Sequence, residues 1–414
     1  MALPSSASSS GAVHKPPSSL QIALAGGIAL AAAMGIGRFA FTPLLPMMLH
    51  DGVLDIATGS WLATANYFGY LAGALLFMAL PWLSRRTGWA LGHATLVRGG
   101  LVATVLLTLA LALPWPAAWP TLRLLAGVAS ALAFLGTTNW CMVRLQHLGV
   151  PALGGLIFCG PGLGIAITGL AASLMVALQW SAATGWLVFG GLAALLCAGV
   201  WQVFRGAAAP PPTMQAEGAQ RALPEAQPVA QRVLLALAYG LAGLGYIVTA
   251  TFLPVIARAA LPPGSVWPDL FWPLFGLGVA LGALLSTRIA PARDRRVLLA
   301  WCYGVQAAAI GVGLCWPSPA GFALGSLLLG LPFTAITFFA LQEARRQWPQ
   351  ASAGFTGLLT ALYGVGQIVG PPMAAGLLAL ADSQAQGFDW ALIVAAGALV
   401  LGAALYVLMA WRWR

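Results

Sequence analysis

Residues 35–46 read GIGRFAFTPLLP, and residues 243–254 read GLGYIVTATFLP. Laid over each other without a gap, Gly35 falls on Gly243, Gly37 on Gly245, Leu45 on Leu253 and Pro46 on Pro254, at an offset of 208. Each stretch lies in an apolar run long enough to cross a bilayer, for which about 20 residues suffice. Two further pairs follow in the same order. GYLAGALL (69–76) matches GVALGALL (278–285) at an offset of 209, and Gly160-Pro161 matches Gly370-Pro371 at 210. The GxG at 162–164 aligns equally well with 364–366 at a different offset, so the third register stays open. Three nearly equal offsets in chain order imply a duplicated membrane bundle, with two parallel repeats about a pseudo-two-fold axis along the membrane normal.

The composition agrees. Of 414 residues 60% are hydrophobic and only 7% charged, against about 25% charged in soluble domains. No water-soluble surface can be made from this chain. The 17 Trp and 50 Gly fit the same reading, because Trp gathers at bilayer interfaces and Gly is common in membrane helices. A net charge of +10 invites nucleic acid as a partner, but the basic residues stand as ones and twos between apolar runs. They are topology signals, and no nucleic-acid partner is expected. Cys141, Cys159, Cys197, Cys302 and Cys315 all fall in apolar segments without a CxxC pair. They read as small buried hydrophobes, with no disulfide, metal or cofactor.

Apolar runs broken by charges or turn residues give twelve spans: 20–48, 57–81, 89–113, 117–143, 149–178, 182–204, 232–256, 267–287, 297–316, 320–342, 352–380 and 388–411. Residues 1–19, rich in Ser, Pro and Ala, are expected to form a disordered cytoplasmic tail. The first apolar run resembles a signal peptide, but the repeat pairs it with the seventh, so it is a retained span. With the N-terminus inside, every basic residue except Arg38, Arg98, Arg123 and Arg258 falls on the cytoplasmic side. The outer loops hold Arg258 beside Asp51, Asp55, Asp269, Asp382 and Asp389. Losing or adding one span scrambles this alternation, so both termini are expected in the cytoplasm. Residues 205–231, Pro- and Ala-rich without apolar periodicity, read as a cytoplasmic linker between six-helix bundles at 20–204 and 232–414.

This architecture resembles the major facilitator superfamily. Gly37, five residues, then Pro43-Leu-Leu-Pro46 is similar to that superfamily's first-helix pattern. Arg123-x-x-x-Gly127 is similar to its fourth-helix motif, and Gly160-Pro161-x-x-Gly164 to a shortened fifth-helix pattern of exchangers and efflux pumps. The loop after the second span offers only SRRTG (84–88), without the usual acid, which puts the motif's charge-relay gating in doubt. GIGRFAFTPLLPMM, AYGLAGLGYIVTATFLPVIAR (238–258) and YGVGQIVGPP (363–372) resemble the YbfB/YjiJ-type branch. The resemblance implies an all-α integral membrane protein of the bacterial inner membrane, with a solute site between its halves and alternating access.

Arg38 is the sharpest site candidate. A charge inside hydrocarbon costs from ~2.5 to over ~10 kcal/mol unless it meets water, a headgroup or a partner. Arg38 lies roughly ten residues, about 15 Å, before the end of its span, and the repeat places uncharged Tyr246 at the matching position. Arg123, near the outer start of the fourth span, either serves the site or anchors at the interface. Arg98, on a span that is peripheral in the resembled fold, is the weaker candidate. Asn66, Tyr67, Tyr70, Tyr239, Tyr246, Thr249, Gln306, Tyr363 and Gln367 supply uncharged polar groups for a cavity. Pro43, Pro46, Gly160, Pro161, Pro254, Gly370 and Pro371 are expected to break helices for gating and to free backbone groups.

No Asp or Glu lies near mid-membrane in any span. Asp269 opens the eighth span at the outer face, and Glu343 beside Arg345 and Arg346 reads as an interfacial ion-pair member. Arg cannot relay protons because it stays charged, so proton coupling through a midplane carboxylate is disfavoured. Positive charge without buried acid suggests an anionic solute held by guanidinium forks. Four scattered His, no acid/His pair at one depth and no GxxxxGK[ST] argue against an enzyme and against ATP-driven transport. Secondary transport of a small organic anion by a monomer in the lipid bilayer is therefore expected. Efflux of amphiphilic compounds is the alternative, and a membrane sensor or scaffold the reading from another class.

Overall fold

The computed structural model describes residues 17–88, 91–205, 228–289, 294–348 and 352–413. Most of the expected tail (1–19) and linker (205–231) lies outside the described residues. Among the described residues there is no strand, and twelve helices are long and apolar enough to cross a membrane. They are α1 Ser19–His50, α2 Ile56–Thr87, α3 His93–Ala110, α4 Pro116–His147, α5 Pro151–Ala177, α6 Ala182–Val200, α7 Val229–Ala260, α8 Pro268–Ser286, α9 Arg295–Cys315, α10 Pro319–Gln347, α11 Phe355–Leu380 and α12 Gln384–Arg412. The odd-numbered helices start on the face that holds the chain ends, here the terminal face. Local chemistry sets the ends. Ser18 and Gln21 form a capping box on α1, Asp55 caps α2 through the Thr58 amide, and Gly88 closes α2 at φ +72°. Helix α7 begins at Val229, inside the stretch expected as linker.

Small residues line the helix crossings and large aromatics such as Trp186 and Trp272 fill the core between them, while Leu195, Leu285, Val400 and Leu401 stand exposed on the outside. An apolar exterior suits lipid, where close packing at the crossings rather than water exclusion holds helices together. The duplication is visible in these crossings. A Cβ on Gly69 or Gly73 of α2 would meet the Leu124 or Val128 carbonyl of α4. On Gly278 or Gly282 of α8 it would meet the Leu327 or Leu331 carbonyl of α10. In return, Gly127 lies against the Asn66 carbonyl and Tyr70 amide, and Gly330 against the Phe275 carbonyl and Val279 amide. Every pair keeps one offset, 209 for α2 and α8, 203 for α4 and α10. The GALL stretches are packing surfaces.

The third repeat register needs correction. Gly164 packs on the Ala31 carbonyl and Gly366 on the Gly240 carbonyl, whereas Gly160 meets the Gly27 carbonyl and Gly370 the Ile247 side chain. The GxG alignment, not the Gly-Pro one, matches how α5 and α11 pack. Close backbone approach selects the register there, and the glycines of the two Gly-Pro pairs meet different groups.

The helix-break expectation also changes. Pro46, Pro161, Pro254 and Pro371 lie inside continuous helix, as do Gly160 and Gly370. Proline removes the N–H that would bond the carbonyl four residues earlier, and other groups here can take over that carbonyl. Pro254 frees the Ala250 carbonyl, which accepts the Thr42 hydroxyl of α1 at 2.7 Å. Pro273 frees the Asp269 carbonyl, which accepts the Ser173 hydroxyl of α5 at 2.8 Å. The breaks lie elsewhere. Helix α1 passes from π-helical turns at Ala31–Ile36 through a turn at residues 37–40 and resumes at Phe41, just before Pro43. Helix α10 is interrupted at Leu331 and Pro332.

Among the described residues the halves meet along three main seams. On α1 and α7, Thr42 bonds Ala250, its own counterpart in the repeat, so the pseudo-two-fold axis passes close to this contact. Helices α5 and α8 pack along their whole length, from Gly155 beside Thr287 to Ser173 on Asp269. Helices α2 and α11 meet at Gly364 with Leu71 and at Gly357 with Met78. The cysteines are free, and Cys141, Cys159 and Cys197 are buried as expected. Cys302 is half-buried and Cys315, at the end of α9, is exposed, a departure from that expectation.

Candidate functional site

The break in α1 builds the site. Because Pro43 has no N–H, the Phe39 carbonyl is taken by the Thr42 amide at 3.2 Å, which leaves the Arg38 carbonyl without the usual donor four residues on. Arg123 of α4 fills that role. Its Nη2 reaches the Arg38 carbonyl at 3.5 Å, its Nε the Leu62 carbonyl at 3.4 Å, and its guanidinium lies 4.7 Å from the Phe41 ring. Asn66 completes the support, donating to the Arg123 carbonyl at 3.0 Å. Arg123 is buried, not an interfacial anchor, and it holds the backbone that carries Arg38.

Arg38 lies midway along α1 and is only 3% exposed. Its Nη2 donates to Gln367 Oε1 of α11 at 2.7 Å, and its guanidinium stacks 3.8 Å from the Tyr70 ring of α2. A guanidinium can only donate, so it fixes the oxygen side of that amide. Gln367 Nε2 donates in turn to the Tyr246 hydroxyl at 2.5 Å. Tyr363 stacks between Tyr246 and Tyr239, with centroids 5.9 and 4.8 Å away. Tyr67 closes the opposite side, bonding Thr251 at 2.9 Å. Arg38, Tyr70, Tyr246, Tyr363 and Gln367 thus form one polar layer at the seam between the halves. Tyr70 and Tyr363 are its partly exposed members.

Other candidates lie elsewhere. Thr249 faces a void of about 30 Å³ inside the second half, shared with Ser326 and Leu329. Gln306 donates to the Leu329 carbonyl and ties α9 to α10. Arg98 points to the outer side of the first half, bonding the Trp201 carbonyl at 2.8 Å. Phe333 and Thr42 escaped the sequence reading. Phe333, just beyond the α10 break, packs against Tyr246 at 4.9 Å and Phe39 at 6.2 Å. Its signal was Pro332 inside a span, and that of Thr42 was a proline four residues after its partner.

The charge is one-sided. The repeat and its packing set Arg38 opposite Tyr246, Arg123 opposite Ser326, Asn66 opposite Phe275 and Tyr70 opposite Val279. The first half supplies the cations, and the second an aromatic wall with Gln367. Among the described residues neither Arg38 nor Arg123 forms an ion pair. The acids pair elsewhere: Asp269 with Arg258, and buried Glu343 with Arg346 at 2.7 Å and Arg296 at 3.9 Å. At the edge of that second cluster, burial pushes the Asp294 carboxyl up, but the Arg296 hydrogen bonds outweigh it and leave it below the usual range. No group of three or more potential metal ligands occurs among the described residues.

Twelve helices in two repeats with a polar layer between them define a multi-pass membrane transporter of the major facilitator fold. Over residues 30–407 the chain matches the family described as uncharacterised MFS-type transporter YbfB, and it belongs to that family. The crystal structure of the nucleoside transporter NupG (D323A mutant) superposes with a TM-score of 0.72 at 14% identity, over 94% of this chain and 99% of that one. A second NupG structure gives 0.68 at 14% identity, over 96% and 99%. At this identity the likeness is one of fold. No curated protein matches the sequence.

Proposed function

We propose that the chain is a secondary active transporter that moves a small organic anion across the bacterial cytoplasmic membrane by alternating access. One observation carries the reading. Arg38, buried where the halves meet, has no counter-charge among the described residues and is held by a neutral amide from the opposite half. A bare guanidinium inside a membrane is costly, and an anionic solute that replaces the Gln367 contact supplies the missing charge. Because Arg38 and Gln367 belong to different halves, the exchange of partners couples solute binding to the seam. The terminal face is the cytoplasmic one, since Arg85, Arg86, Arg144, Arg205, Arg288, Arg345 and Arg346 gather there. Both termini are then inside, the six-helix bundles end near 204 and begin near 229, and the unit is a monomer. Among the described residues the layer holds no carboxylate or His to carry a proton, which favours anion exchange over proton symport.

Proteoliposomes loaded with this chain should take up at least one labelled anion from a panel of carboxylates and organic phosphates, with nucleosides as the neutral arm. Arg38→Ala should reduce that uptake at least about tenfold, the loss of one charge-assisted bond. Uptake of every anion unchanged in Arg38→Ala overturns the reading. Uptake restricted to uncharged amphiphiles favours efflux of such compounds instead.

A further inference from the structure

A second arginine site lies far from the seam, on the outer flank of the first half. Helices α3 and α6 leave between them a groove of about 630 Å³, lined by Arg98, Gly99, Leu106, Trp201, Phe204 and Arg205 among others. Arg98 is set into its wall. Its Nη2 is tied to the Trp201 carbonyl at 2.8 Å, and its guanidinium lies 4.7 Å from the Trp201 ring. Arg205, just past the end of α6, is exposed at the mouth. Among the described residues no acid lines the groove, and neither arginine forms an ion pair.

Depth and shape say what such a groove takes. Arg98 is the sixth residue of α3, about 8 Å along the helix from its terminal-face end, and Trp201 and Arg205 close α6 at that same face. Two guanidinium groups beside a Trp at this level meet the phosphate border of a bilayer, where Trp gathers. Below them Gly99, Val102, Ala103 and Leu106 follow at intervals of three and four, one stripe of the α3 surface running toward the bilayer centre. Val102 and Leu106 are exposed. A soluble anion has no use for that apolar stripe, whereas an acyl chain lies along it. Both helices belong to one half, so the groove is no part of the solute path.

We propose that this groove binds an anionic phospholipid, its phosphodiester between Arg98 and Arg205 and one acyl chain along Gly99, Val102 and Leu106. The inference is independent of what solute the chain carries. Gly99 offers a clean steric probe, because an added Cβ there meets no atom within 4 Å.

The test is native mass spectrometry of the full chain, delipidated in detergent and titrated with phosphatidylglycerol, phosphatidylcholine or soluble glycerol phosphate. The wild type should retain phosphatidylglycerol in preference to the other two. The double variant Arg98→Gln/Arg205→Gln should lower its retention on the order of tenfold, since each basic residue near the bilayer surface contributes several-fold to anionic-lipid affinity. Gly99→Leu, which puts a bulky side chain on the stripe where the acyl chain would lie and leaves both arginines, should lower it as well. Equal retention of phosphatidylcholine, equal protection by glycerol phosphate, or unchanged retention in Gly99→Leu overturns the proposal. If the double variant does not fold, Gly99→Leu alone decides.

Discussion

A guanidinium in the middle of a membrane helix needs water, a headgroup or a partner, and Arg38 has a neutral amide and an aromatic face. That choice separates a structural arginine from a binding one. If Arg38 only braces the seam, a carboxylate at position 367 is the better brace. If it waits for an anionic solute, the same carboxylate occupies the solute's place. Gln367→Glu should therefore raise thermal stability in detergent while anion uptake falls to background. Gln367→Leu, which leaves both Arg38 and Tyr246 short of a partner, should lose stability and uptake together. Restored or increased uptake in Gln367→Glu sinks the binding role. A second expectation concerns pH. Among the described residues the layer holds no Asp, Glu or His, the side chains whose charge ordinarily changes at or below neutrality, so the apparent KM for an anion whose own charge is constant should be flat between about pH 6 and 8. A tenfold drift in liposomes across that window argues for a titrating group that this layer lacks.

At the scale of helices, prolines that look like breaks act as markers of carbonyls needing a donor. Ala250 and Thr42 are the clearest pair. Losing a membrane hydrogen bond costs roughly 0.6 kcal/mol on average, and an orphaned buried carbonyl raises that to about 1–3 kcal/mol. Thr42→Val should cost that amount in wild type, measured by unfolding in mixed micelles. In a Pro254→Ala background the ladder donor returns, and the same Thr42→Val should cost close to nothing. Equal cost in both backgrounds refutes the linkage. Here too the limits of the sequence are plain. The twelve spans were legible because about 20 apolar residues carry one message each, and the repeat was legible because Gly at a crossing tolerates little else. The site was half legible. Arg38 was visible as a charge out of place, and Gln367, Tyr70, Tyr246 and Tyr363 as polar residues among apolar ones. Thr249 and Gln306 look the same in sequence but face the inside of one half. Which side of a helix meets the seam depends on crossing geometry that a uniformly apolar helix does not encode in its pattern.

At the scale of the molecule, the question is whether the halves part as rigid bodies, and the chain carries its own reporter. Cys159 sits on α5 at the seam with α8, 6% exposed, its sulfur 3.5 Å from the Ala280 carbonyl. Cys141 and Cys197 are equally buried but lie within the first half, against Ile22 and Leu101. A rocking motion that opens the terminal face uncovers the first thiol and leaves the other two packed, whereas general loosening uncovers all three. Gly155 supplies the lever. A Cβ there would stand 2.8 Å from Thr287 Cγ2, one turn from Cys159 and close to the terminal face, so Gly155→Leu wedges the seam at that end. Alkylation by N-ethylmaleimide, read thiol by thiol with mass spectrometry, should quicken roughly tenfold at Cys159, the effect of a shift of about 1.4 kcal/mol in the open population. The rates at Cys141 and Cys197 should not change. A solute that draws Arg38 and its opposing aromatic wall together favours the closed seam, so saturating solute should slow Cys159 alkylation again. If all three thiols quicken in step, Gly155→Leu has loosened the fold and the halves do not move as units.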